Sequence, residues 1–166
     1  MHSLGRAWTL GVVLALGVVL GVDILDLSAQ ASDPRIGTWK LNVAKSKYSP
    51  GPAPQGLTVK VESAAKGEKV TAEFVNADGS RTTTSYTEAN FDGKDYPLTG
   101  SALGADMVSL KRIDARTTER TDKKGGKVIQ TLRRVVSSDG KTMTVTTKGT
   151  NLQGQAMNNV GVFDRQ

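Results

Sequence analysis

"RIGTWKLNVAKSKYSPGPAP", residues 35–54, decides the fold. A short apolar-aromatic run, Ile36 to Leu41, reads as a strand and then passes into ground broken by Pro50, Pro52 and Pro54. Those prolines forbid a helix over Val43–Gly56, because each lacks an N–H and clashes with the preceding turn. Gly37-Thr38-Trp39 opens the strand, so the first element after the N-terminal segment reads as β.

Downstream, β-prone segments are separated by turn dipeptides: Lys66-Gly67, Asp78-Gly79, Asp92-Gly93, Gly125-Gly126, Asp139-Gly140 and Gln153-Gly154. Asp-Gly and Gly-Gly supply the positive φ that tight hairpins require. The interval from Gly93 to Gly125 is longer and has room for two more strands, broken near Gly104 and at Asp114-Ala115. Leu57, Val59 and Val61 alternate with polar neighbours, as do Val70, Ala72 and Phe74, and Met143 and Val145 among threonines. No window carries a helical stripe. The expectation is an all-β domain, about nine or ten antiparallel strands in simple succession, as a single up-and-down barrel.

Some strands alternate poorly. Thr82–Phe91 is polar on both faces, Ala115–Thr121 carries Arg116, Glu119 and Arg120, and Arg133 and Arg134 face opposite ways within one apolar strand. A dry core rejects an unpaired charge, so the pattern predicts a partly wet interior, and a small barrel has room for one small ligand.

The N-terminus reads separately. Arg6 precedes the apolar stretch Ala7–Val22, and Ala29-Gln30-Ala31 follows, which is the layout of a secretory signal. The stretch is shorter than the roughly 20 residues of a spanning helix. Cleavage after Ala31 is expected, giving a signal peptide over 1–31, a barrel domain over 32–166, and a secreted or periplasmic protein with no membrane span. An uncleaved anchor is the alternative. The absence of cysteine excludes a disulfide framework and thiolate metal sites.

The net charge is +6, yet the basic residues are scattered and do not interleave with aromatics. A nucleic-acid groove needs both a basic track and stacking platforms, so nucleic acid is not an expected partner, and a monomer is. The one histidine, His2, falls in the N-terminal segment. No nucleophile elbow or phosphate loop is present, and Asp78, Asp92, Asp114 and Asp139 sit where turns need them. No enzyme, cofactor or metal is expected.

"GTWKLN" resembles the Gly-x-Trp signature of the calycins, the lipocalins and fatty-acid-binding proteins. "TLRRVVSSDGKTMTVTTKGT", Thr131–Thr150, is similar to the late arginine, Asp-Gly turn and Thr-rich strand of fatty-acid-binding proteins, and "VGVFDRQ" to their last strand. The blocks "AKSKYSPGPAP", "DGKDYPLTG" and "VSLKRID" also resemble a group of exported bacterial lipocalin-like proteins of this length. The resemblance implies a structural signature of Gly37, Trp39 and Arg165, in which the Trp closes one barrel end under a basic side chain. It lines up Arg133 with a ligand arginine. The departures are a proline-rich segment where the family has a helical lid, and Gly161 and Phe163 where it has a carboxylate-gripping Arg-x-Tyr.

The function expected is binding of a small, hydrophobic or amphiphilic molecule inside the barrel, anionic if an inward arginine meets it. Arg133, Arg134, Phe74, Tyr86, Tyr96, Met143 and Phe163 are the candidate ligand contacts. Either arginine can be the inward one, and an ion pair with Glu119 or Glu73 is the structural alternative for each. Tyr96, beside Pro97, fits either a barrel rim or an ordinary strand break. The alternative function is an envelope-interaction or inhibitor-type protein using its rim or outer face.

Overall fold

A computed structural model describes residues 33–166. The signal-peptide reading of residues 1–31 lies outside the described residues.

Ten strands form one antiparallel sheet: β1 Gly37–Leu41, β2 Gly56–Ser63, β3 Gly67–Val75, β4 Arg81–Asn90, β5 Tyr96–Pro97, β6 Met107–Arg112, β7 Thr117–Lys124, β8 Lys127–Val136, β9 Thr142–Thr150 and β10 Ala156–Arg165. Their order is β4-β3-β2-β1-β10-β9-β8-β7-β6-β5, so each strand pairs with its chain neighbours and β1 closes on β10. The last seam, between β4 and the β5–β6 edge, is held by isolated bridges at Ser85–Thr99 and Asp92–Lys111. The result is the expected all-β, up-and-down, nearly closed barrel. Among the described residues the only helical element is a 3-10 turn, Val43–Lys45, ahead of the three prolines.

Turn chemistry sets these hairpins. Gly79, Gly93, Gly125, Gly126, Gly140 and Gly154 have positive φ. Gly67 differs: it lies inside β3, where a Cβ would sit 1.8 Å from the backbone oxygen of Ala89. It is required for the close approach of β4, not for a turn.

The sheet has two register shifts, and the first explains the poor alternation of Thr82–Phe91. Between Glu68 and Val70 the β3–β4 register shifts, so that Ala89 and Tyr86 both face inward although their parity differs. A bulge does this by opposing two residues to one. A second shift, at Asp122/Lys123, occurs in the β7–β8 pairing.

The closed end of the barrel answers the opening Gly-x-Trp. Trp39 is wholly buried and donates its indole N–H to the Arg35 carbonyl at 2.9 Å. The Arg165 guanidinium lies 4.2 Å above its ring and donates to the carbonyls of Gly140, Ile36 and Pro34. Gly37, at φ 140°, passes so close that a Cβ would be 2.6 Å from the Arg165 Nη1. The signature is therefore steric: glycine clears the path for the arginine that covers the tryptophan.

Candidate ligand-binding cavity

The other half of the barrel is hollow. A cavity of about 250 Å³ lies between the buried plug and the mouth formed by Tyr48, Ser101–Leu103, Met157 and Asn159. Its walls include Leu57, Val59, Ala72, Phe74, Met143 and Phe163. They face inward by the strand period that the sequence displayed. Gly161 lines it as well, so this part of β10 presents hydrocarbon and backbone and no carboxylate grip.

Between cavity and plug lies a buried ionic network. Glu68, fully buried, accepts from Arg35 Nη1 at 2.9 Å, from the Tyr86 hydroxyl and from Arg134 Nη2. Burial pushes its carboxyl up, but Arg134, Tyr86 and Arg35 outweigh that and hold it below the ordinary carboxylate value. Burial raises the Tyr86 phenol, so it remains a neutral donor. Arg35 continues to Asp33, which Arg112 also reaches at 2.8 Å. On β7, Arg120 donates twice to the fully buried Asp122, at 2.6 and 2.9 Å, and Gln130 on β8 donates to the same carboxylate at 2.6 Å.

The arginines separate as alternation required. Arg134 points inward, is buried, and lines the cavity, and its Nε has no hydrogen-bond partner. Arg133 is exposed on the outer face and pairs with Glu119 at 2.9 Å. The expectation that Arg133 is a ligand contact is therefore corrected: in β8 the even-numbered residues Gln130, Leu132, Arg134 and Val136 face inward. Arg134 takes up Glu68, a partner the sequence did not single out.

Phe74, Met143 and Phe163 line the cavity. Tyr86 does not; it lies below, bound to Glu68, within the plug. Tyr96 does not either. It sits in the two-residue edge strand β5, its hydroxyl donating to Asp92 Oδ2 at 3.0 Å, which makes it a clasp for the β4–β5 connection. Arg120, Asp122 and Gln130 were missed as cavity residues. The signal was the charge inside Ala115–Thr121, read as wetness and not as a paired group.

Among the described residues no cluster of acidic or sulfur ligands could hold a metal. No protein-family model matches the sequence, and no curated protein matches it. Among solved structures, the chain is similar to the zebrafish ileal bile acid-binding protein complexed with cholic acid, with 12% identity and a TM-score of 0.48, covering 80% of this chain and 99% of that one.

Proposed function

We propose that this barrel binds a small anionic amphiphile in its interior, with Arg134 as the charged anchor. One observation carries the reading: a largely apolar cavity ends on the buried guanidinium of Arg134. An incoming carboxylate accepts a charge-assisted hydrogen bond from such a group.

Of the charged side chains that line the cavity, two are arginines, Arg120 and Arg134, and one is a carboxylate, Asp122; Arg120 is paired with Asp122, and Arg134 with Glu68 behind the cavity wall. Cavity size sets the scale. Since a 150 Å³ cavity takes one benzene, this one has room for a ligand of roughly ten non-hydrogen atoms. Export of the chain is part of the same reading and rests on the sequence of residues 1–31.

Octanoate and octanol, matched in chain length, test it by isothermal titration. Octanoate should bind at least about 10-fold tighter, the worth of a hydrogen bond to a charged group. Arg134→Gln should abolish the preference, and Arg133→Gln, on the outer face, should leave it intact. Equal affinity for acid and alcohol removes the anchor. Binding of neither up to about 10 mM removes the interior site, since ten atoms at about 0.3 kcal/mol each already reach the millimolar range.

A further inference from the structure

The charged residues of the cavity lie on one side of it. Its buried charged residues, Arg134, Arg120 and Asp122, and the amide of Gln130 all belong to the adjacent strands β7 and β8. In the ring order of the ten strands, β7 and β8 stand opposite β2 and β3. Those strands line the cavity with Leu57, Val59, Val70, Ala72 and Phe74. A ligand between them meets hydrocarbon on one face along its whole length and polar groups on the other.

Those polar groups form two stations. The deep one is Arg134, which lines the cavity and also donates to Glu68. The second lies toward the mouth, where Asp122 and Gln130 are register partners joined by their own hydrogen bond. Because the Gln130 amide nitrogen is committed to Asp122, the carbonyl oxygen of that amide is left as an acceptor. Gln130 and Arg134 are four residues apart on β8, about 13 Å at 3.3 Å per residue, and long side chains shorten the span between their polar atoms. Leu132, between them, lines the same wall with hydrocarbon.

Resting on the interior-binding reading above, we infer that the ligand carries two polar groups, a carboxylate for Arg134 and a hydroxyl for the Gln130–Asp122 station, joined by a rigid apolar body. A planar aromatic hydroxy acid of about ten to twelve non-hydrogen atoms has this form and the size the cavity allows. A simple alkyl acid satisfies the deep station alone.

Cinnamate and 4-hydroxycinnamate, which differ by the distal hydroxyl, provide the test, with octanoate as the reference for interior binding. An unpartnered hydroxyl pushed against hydrocarbon weakens binding, whereas a partnered one strengthens it by about 3- to 10-fold. The hydroxylated acid should therefore bind about 3- to 10-fold tighter, and Gln130→Leu should erase the difference while cinnamate keeps its affinity. Equal or weaker binding of 4-hydroxycinnamate to the unaltered protein overturns the second station, and so does failure of both aromatic acids where octanoate binds. In both of those outcomes interior binding itself stands. Failure of all three acids overturns both ideas.

Discussion

Glu68→Gln should be among the most damaging single substitutions in this barrel, and more damaging than loss of the arginine it serves. Glu68 is fully buried and receives Arg35, Arg134 and Tyr86 together. Glutamine preserves the shape but removes the charge, and its amide N–H₂ must face a guanidinium donor. Two buried arginines lose their shared counter-charge, although Arg35 keeps Asp33. Breaking a buried pair by removing one partner costs about 3–5 kcal/mol. For a domain of this size that is a melting-point loss of about 10–20 °C.

Arg134→Met differs, because Glu68 keeps Arg35 and Tyr86, and a loss of about 1–2 kcal/mol is expected. The pH dependence has a definite sign. Burial pushes the Glu68 carboxyl up, but Arg134, Tyr86 and Arg35 together hold it below its unfolded value of 4.5. A carboxyl depressed by folding contributes stability that is complete above the unfolded pKa and lost as pH falls through the folded one. The gap between wild type and Glu68→Gln should therefore be full at neutral pH and narrow below about pH 4.5. Urea unfolding from neutral pH to pH 3, followed by circular dichroism, measures it. A neutral-pH gap under about 1 kcal/mol, or a gap that does not change with pH, would refute the reasoning.

Two further expectations follow from the closed end and the N-terminus. Trp39→Ala removes the largest buried side chain and leaves Arg165 over an empty site, so a loss of about 3–5 kcal/mol in urea unfolding is expected; a loss below about 1 kcal/mol contradicts its place as the plug. Protein isolated from its native source should begin at Ser32 on N-terminal sequencing, and retention of Met1 would mean the apolar stretch stays as an anchor.

The barrel was legible because its causes are local. Period-two alternation in Leu57–Val61 and Val70–Phe74, and turn glycines at Gly79, Gly125 and Gly140, state strand and hairpin without reference to the rest of the chain. Even the partner of Trp39 was legible, since β1 and β10 are the two ends of one meander and must meet to close it.

What the tertiary structure decided is which side of each ambiguous strand is inside. In β8 both parities carry apolar residues, Ile129 and Val135 on one and Leu132 and Val136 on the other, each with one arginine. Alternation says that Arg133 and Arg134 part; only pairing with β7 and β9 says which goes in. The β3–β4 bulge hid Tyr86 and Ala89 in the same way, because a single extra residue inverts the parity read from the sequence. The ionic network was out of reach for a further reason. Glu68 and Arg134 are 66 positions apart and meet across the interior, from β3 and β8. No local pattern encodes a pair like that; barrel closure brings it together, and the exclusion of water then makes each charge demand its partner.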